Sequence, residues 1–289
     1  MKLIRYDDAT QFYGRAKAFL VAHEAEHCLM LGLRPTLIQQ PDYFGQSPYL
    51  ALVEEGEQIV AAGLRTPPFN LALSLIPNER LASEALALLT QDVHATYPAL
   101  PGVLGPAALS RAFAEEWQRT TGQTYHPGIK ERIYRLDTVI PARDVPGTLR
   151  RATESDRELL VRWMAAFHLE ALGDREPLDA ARWVDSALHS SVRTVYLWED
   201  GAPVSLVGHT GPTPHGMRIG PVYTPPELRG KGYASAATAA VSQLLLDSGR
   251  QFCVLFTNLS NPTSNSIYQK IGYRPLVDVD VYEFTLEKQ

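Results

Sequence analysis

Residues 224–235 read Thr-Pro-Pro-Glu-Leu-Arg-Gly-Lys-Gly-Tyr-Ala-Ser, and these residue types in this order suit the holding of a phosphate or pyrophosphate. Ile219, Val222 and Tyr223 favour extended backbone, and Pro225-Pro226 have no N–H to continue a ladder, so a strand ends near Thr224. Residues 235–248, rich in Ala and Leu and followed by Gly249, read as a helix. The turn from Arg229 to Ala234 therefore sits at a helix N-terminus. There the first N–H groups have no intrahelical acceptor and the macrodipole is positive. Gly230 and Gly232 let the backbone approach an anion where a Cβ would intrude or a positive φ is required, and Arg229 and Lys231 add charge.

The stretch that follows narrows this reading. Residues 251–257, Gln-Phe-Cys-Val-Leu-Phe-Thr, are a short apolar run after a helix and a glycine, the pattern of a buried parallel strand. Asn261-Pro262 then supplies an N-cap with proline in the first turn, and Gly272 ends the helix. On that helix Asn261, Ser264 or Asn265, and Tyr268 share one face, while Ile267 and Ile271 pack elsewhere.

With these residues in view, the chain resembles the GNAT superfamily of acyl-CoA N-acyltransferases. Arg229-x-x-Gly232-x-Ala234 matches that family's pyrophosphate loop, Gln/Arg-x-x-Gly-x-Gly/Ala. Asn261-x-x-Ser264-x-x-x-Tyr268-x-x-x-Gly272-Tyr273 matches its second signature, one helix and one strand further on, and the likeness covers about the last half of the chain. The resemblance implies acetyl-CoA as the acyl donor. Backbone N–H groups of Gly230, Lys231, Gly232, Tyr233, Ala234 and Ser235 would hold its pyrophosphate beside Arg229. Val222, Tyr223 and Thr224 would run beside the pantetheine arm, and Asn261 and Ser264 would lie near the cofactor, Asn261 chiefly as a cap. Family members splay two adjacent parallel strands at this point, and Pro221 agrees with that, a plain bulge being the alternative.

The same resemblance implies the chemistry. The N–H of Val222 would donate to the thioester oxygen as it becomes an oxyanion. Tyr268 would be the general acid that protonates the departing thiolate. A phenol near 10 gives its proton to a thiolate near 8.5 at a cost of about 2 kcal/mol. An acceptor ammonium near 10.4 needs about 4.6 kcal/mol to lose its proton at pH 7, so a base or desolvation must assist. Glu170 and His209 are the candidates, in that order, with ordered water as the third source. His168 is a further candidate two residues from Glu170 on the same helix, and since the two point in different directions at most one of them faces the site.

The whole chain sets limits on these readings. Its 289 residues suit two domains, and 45% apolar with 20% charged residues is a globular composition. No run of apolar residues reaches membrane-spanning length and no hydrophobic signal region follows Met1, so no membrane partner and a cytoplasmic location are expected. Two cysteines, Cys28 and Cys253, offer neither a disulfide framework nor metal spacing and are read as small buried apolar residues. A net charge of −5 without a basic block disfavours nucleic acid.

Residues 49–63 and 195–208 both read as hairpins with an acidic-Gly turn, and residues 107–122 form a helix stopped by glycine before a strand at 129–137, as 264–272 precede one at 279–286. The expected fold is α/β with two tandem GNAT-like domains, each a mixed, mostly antiparallel sheet with a splayed parallel strand pair flanked by helices. Expected boundaries are 1–137 for a degenerate domain, 138–148 for a linker with Pro141 and Pro146, and 149–289 for the catalytic domain, opened by a capping box at Thr153 and Asp156. After a strand at 70–76 the first half has Pro-Asn-Glu-Arg-Leu-Ala-Ser at 77–83, with no glycine pair and an added carboxylate, and Trp117 on the counterpart helix without the Asn-x-x-Ser spacing. It is therefore expected to bind no CoA. A helix at 12–31 carries His23 and His27 at i, i+4, read as a solvated face rather than a zinc pair, so no metal is expected.

Two function classes follow. One is an N-acetyltransferase acting on a primary amine of a small molecule or peptide by direct attack in a ternary complex, with an aminoglycoside-type antibiotic as a special acceptor. The other is a non-catalytic acyl-CoA-binding sensor or adaptor. Loops at 43–48, 66–69 and 210–216 are candidates for a pocket rim, and the chain is read as a monomer or homodimer.

Overall fold

The structure is a computed structural model and describes residues 1–172, 179–190 and 193–285. Two compact units divide the chain, the first made of Met1–Ile133, Asn258–Ser260 and the strand residues from Leu276 on, the second of Tyr134–Thr257 and Asn261–Pro275.

In the first unit, strands β1 (Lys2–Arg5), β2 (Tyr49–Glu55), β3 (Gln58–Arg65), β4 (Leu71–Leu73) and β5 (Gly102–Pro106) lie in sequence order. They pair antiparallel except for β4 and β5, which are parallel. Helices α1 (Ala9–Ala22) and α2 (Cys28–Gln39) cover one face with Phe12, Leu20 and Leu31. Helices α3 (Ala82–Thr96) and α4 (Ala107–Thr121) cover the other with Leu89, Phe113 and Trp117. Trp117 is fully buried, its indole N–H donating to Gln123 Oε1 at 2.7 Å, which makes it a core residue of this unit.

The boundaries differ from those expected. After β6 (Tyr125–Leu136), the last strand of the chain, β12 (Arg274–Phe284), does not close the second half. Its Val279–Glu283 stretch pairs antiparallel with β5. Its inward side chains decide this: Tyr282 and Phe284 join the first unit's core, with Phe284 5.5 Å from Trp117 between ring centroids. In exchange, Tyr134 and Leu136 at the end of β6 are buried in the core of the second unit. The expected strand end at Leu286 lies outside the described residues.

Two other expectations change. The strand expected at 70–76 shortens to β4. The helix expected at 12–31 breaks into α1 and α2, and His27, at the start of α2, is 2% exposed rather than solvated. Its Nε2 accepts from the Leu75 N–H at 3.0 Å, so Nδ1 carries the proton and donates to the Leu20 carbonyl at 3.0 Å. Burial, ahead of every other influence, pushes the imidazole down to about 4 from 6.5. The folded chain thus leaves His27 neutral until about pH 4, while the unfolded chain takes up its proton near 6.5. Stability from this group is complete above 6.5 and lost as pH falls from 6.5 to 4, a loss of about 3 kcal/mol. His27→Gln is expected to be less stable at pH 7 and to show a shallower fall in urea-derived stability over that window. Parallel slopes for variant and wild type would contradict the assignment.

The second unit has the strand order β11-β10-β9-β8-β7, formed by β7 (Thr148–Arg151), β8 (Thr194–Asp200), β9 (Ala202–Thr210), β10 (Gly216–Tyr223) and β11 (Phe252–Asn258). All adjacent pairs are antiparallel except β10 with β11. Helices α5 (Arg157–Leu172) and α6 (Ala180–His189) pack Leu160, Met164 and Val184 on one face. Helices α7 (Tyr233–Asp247) and α8 (Pro262–Lys270) pack Ala237, Val241 and Tyr268 on the other. The capping box before α5 forms as expected, Asp156 accepting from the Thr153 N–H at 2.8 Å while also binding Arg150. Residues 138–147 are tied to the second unit at two points: the Ile140 N–H donates to Ile271 O at 2.9 Å and the Trp198 indole donates to Pro146 O at 2.8 Å. Cys28 and Cys253 are buried and unbridged, and burial pushes the Cys253 thiol up to about 12.

Candidate active site

The glycine turn is built by three local constraints. Strand β10 ends at Tyr223, where Ser205 Oγ donates to the Tyr223 carbonyl at 3.1 Å and lies 2.9 Å from Thr224 Oγ1. A single 3₁₀ turn at Pro226–Leu228 follows, then Gly230 at φ +81° and Gly232 at φ +85°, the N-cap of α7. Both glycines are in the left-handed region that L side chains avoid.

The backbone donors of this turn have no acceptor in the protein. The first bond of the helix runs from the Ala236 N–H to Gly232 O. Among the described residues, the N–H groups of Gly230, Lys231, Gly232, Tyr233, Ala234 and Ser235 donate to no protein atom, and no side chain caps the helix. Six consecutive bare amides at a positive dipole end are donors of the kind that suits an anion. Lys231 is exposed and has no ion pair among the described residues. The two glycines differ in their surroundings. A Cβ on Gly230 would meet nothing within 4 Å, whereas one on Gly232 would lie 2.9 Å from Val145 Cγ2. The Gly232 position is therefore set by Val145, a neighbour 87 positions away with no local sequence signal.

Next to the turn the sheet opens. Strands β10 and β11 pair over Gly216–Arg218 with Phe252–Val254, and no further pairing is found although both continue to Tyr223 and Asn258. On the other edge of β10 the register with β9 shifts between Ile219 and Val222, at Gly220-Pro221. Gly208 faces this irregularity, where a Cβ would stand 3.0 Å from Gly220 O and from Pro221 Cδ. Pro221 thus stands both at a bulge toward β9 and at the start of the unpaired stretch toward β11. Val222, whose N–H is the candidate oxyanion donor, is half-buried and packs against the same core cluster as Ile219 and Tyr268.

Tyr268 is 7% exposed and sits edge-on to Tyr273, ring centroids 6.1 Å apart. No hydrogen bond to its hydroxyl is found among the described residues. Tyr273, by contrast, shares a 2.9 Å hydrogen bond with Ser242. Burial raises the Tyr268 phenol above its ordinary value, so it is protonated through the neutral range. On the same helix Asn261 is the N-cap, its side chain accepting from the Ser264 N–H at 3.0 Å. The Tyr134 hydroxyl donates to Asn265 Oδ1 at 3.1 Å, a tie that sequence spacing does not reveal.

The two candidate bases stand in different settings. His209 is 7% exposed and paired in register with Ile219, and its Nδ1 is buried without a partner. Burial first, then Arg250 and Arg151, push it down to about 4, which leaves it a weak proton acceptor. Glu170, near the C-terminal end of α5, is not free. Its Oε2 accepts from Arg229 Nη2 at 2.5 Å and its Oε1 from the Tyr223 hydroxyl at 3.4 Å, while Arg229 Nε donates to Thr224 O at 2.8 Å. His168 is half-buried on the same helix. No cluster of three or more metal-ligating side chains occurs among the described residues.

The first unit lacks this arrangement at its corresponding turn. The Leu75 N–H after β4 is taken by His27, and Asn78 Oδ1 accepts from the Arg80 N–H at 3.2 Å. At this turn the Arg80 N–H meets one of the protein's own side chains.

Comparison with known proteins bears on the fold. Residues 200–282 match a family model described as FR47-like protein. No curated protein matches the sequence. Among solved structures, the chain is similar to a GNAT-family acetyltransferase from Colwellia psychrerythraea, with TM-score 0.59, 12% identity, and 99% of this chain and 100% of that one covered. It is similar to a Drosophila protein with TM-score 0.69 and 13% identity, 98% of both chains being covered. A tandem GNAT protein from the clavulanic acid biosynthesis pathway aligns with TM-score 0.60 and 14% identity over 98% of both chains. The fold is that of these GNAT structures, with two GNAT-like units in tandem. Among the described residues no helix is long and apolar enough to cross a membrane.

Proposed function

We propose that the chain is an N-acetyltransferase whose second unit moves an acetyl group from acetyl-CoA to a primary amine of a small molecule or peptide, by direct attack in a ternary complex. The observation that carries this reading is the run of six bare amides from Gly230 to Ser235 beside the unpaired stretch of β10 and β11. The amides suit a pyrophosphate, and the unpaired strand edge suits an extended, amide-bearing arm.

Within this reading each residue has one task. The Val222 N–H donates to the thioester oxygen as charge gathers there. The acceptor nitrogen bonds to the acyl carbon, the carbon–sulfur bond breaks, and the amine's extra proton passes to a carboxylate or to water. Tyr268 gives its proton to sulfur and regains one from solvent. Burial makes this phenol reluctant to ionise, and the same desolvation raises the proton affinity of a thiolate forming beside it, so burial works on both partners of the transfer. The first unit, with no glycine pair and an added carboxylate at its corresponding turn, serves as scaffold.

The test is thiol release from acetyl-CoA in the presence of a panel of primary amines, run beside calorimetric binding of CoA. Release that depends on an amine is the expected result. Binding without release under every amine would make the chain a sensor, and no binding would remove the assignment.

A further inference from the structure

The contact between Glu170 and Arg229 spends the site's candidate base on one of the two cations of its anion turn. We propose that this pair is an exchangeable latch: the donor's diphosphate draws Arg229 off Glu170, and the released carboxylate then takes a cationic acceptor amine. The proposal rests on the reading of the turn as a CoA site.

Three observations support it. First, the pair is open to water, with side chains 43% exposed at Glu170 and 48% at Arg229. An ion pair of that kind is screened and holds weakly, so a stronger partner displaces it. A diphosphate against six oriented amides is such a partner, since it carries at least two negative charges in a fixed place. Second, Arg229 is tethered at its Nε by the Thr224 carbonyl, 2.8 Å away, while Nη2 alone holds Glu170. The guanidinium can thus turn about the Thr224 tether without leaving the mouth of the turn. Third, Glu170 lies two residues before the C-terminal end of α5, where the helix dipole is negative. Once parted from Arg229, the carboxylate and the helix end attract a cation together, beside the Tyr223 hydroxyl that already donates to Oε1.

The latch makes the two substrates cooperative. A donor that removes Arg229 prepares Glu170 for the amine, and by reciprocity an amine held at Glu170 frees Arg229 for the donor, with the same factor. It also disfavours capture of the amine before the donor is in place.

Calorimetric titration with CoA on the full chain tests the latch. Glu170→Gln removes the competitor for Arg229 and is expected to tighten CoA about three- to fivefold, the size of a weak surface pair, while raising the acceptor KM. Arg229→Gln is expected to weaken CoA about tenfold or more. In the Arg229→Gln background, Glu170→Gln should change CoA affinity by less than about twofold, because the latch is already open. Glu170→Asp, which keeps the charge, should stay near the wild type. All four variants change half-exposed side chains, and thermal melting checks that each is folded. An unchanged or weakened CoA affinity in folded Glu170→Gln would overturn the latch while leaving the CoA site standing, as would a tightening that persists without Arg229. Failure of the wild type to bind CoA would overturn both.

Discussion

Tyr268→Phe is expected to lower turnover about a hundred- to a thousandfold, in the range of a lost general acid, while CoA affinity stays within about twofold. The substitution removes only the hydroxyl. It forms no hydrogen bond among the described residues, so its removal leaves no buried partner stranded, and the ring keeps its packing on Tyr273. The fold should therefore melt at or slightly above the wild-type temperature. What disappears is the proton available to sulfur, a loss confined to the transition state, so it shows in kcat with KM and Kd little changed. Because burial raises this phenol, the wild-type rate should not decline from loss of the acid below about pH 10. Tyr273→Phe is the control, since it removes a buried hydroxyl bonded to Ser242 at 2.9 Å and should cost stability with little effect on turnover. Equal turnover for Tyr268→Phe and wild type would take Tyr268 out of the chemistry.

Local features of the second unit were legible in the sequence because their causes are local. Asn261 caps the helix that it opens, Thr153 and Asp156 close their capping box, and Gly230 and Gly232 adopt the positive φ expected of them. These positions depend on a few neighbouring dihedrals and short hydrogen bonds. What the sequence concealed depends on distant partners. The pattern of 12–31 reads as one helix, yet it breaks before Cys28, where buried His27 accepts a hydrogen bond from Leu75, 48 positions on. Strand β12 reads as the natural end of the second half, yet Tyr282 and Phe284 fit the first unit's core against Trp117. Nothing in the alternation of a strand says which neighbour it will meet.

The same division runs through the candidate site. The anion turn and the Asn/Tyr helix are contiguous motifs, each readable from its spacing. The state of the bases is not, because it comes from long-range neighbours. Arg229 reaches Glu170 across 59 positions, and the low basicity of His209 comes from burial with Arg250 and Arg151 nearby. Residue type alone ranks both as possible bases. Their surroundings separate them: His209 is buried and a poor proton acceptor, while Glu170 is half-exposed and paired with Arg229.

The sharpest test of the anion turn uses Gly230 rather than Gly232. A carboxylate at Gly232 would confound two effects, because its Cβ would lie 2.9 Å from Val145 before any ligand arrived. At Gly230 a Cβ meets open space, and only the backbone, at φ +81°, resists substitution. Asn and Asp tolerate this left-handed region better than other L residues and are nearly the same shape, so Gly230→Asn and Gly230→Asp share whatever strain exists. They differ by one negative charge among the bare amides. With an effective dielectric constant near 20, two like charges about 4 Å apart repel by about 4 kcal/mol. Exposure to solvent reduces that figure, and CoA affinity is expected to fall about a hundredfold or more from the Asn to the Asp variant, with matching melting temperatures. The gap should narrow at high salt, since screening acts on the charge and not on the shape. If the two variants bound CoA alike, the anion would not rest on these amides, and the donor site would have to lie elsewhere in the unit.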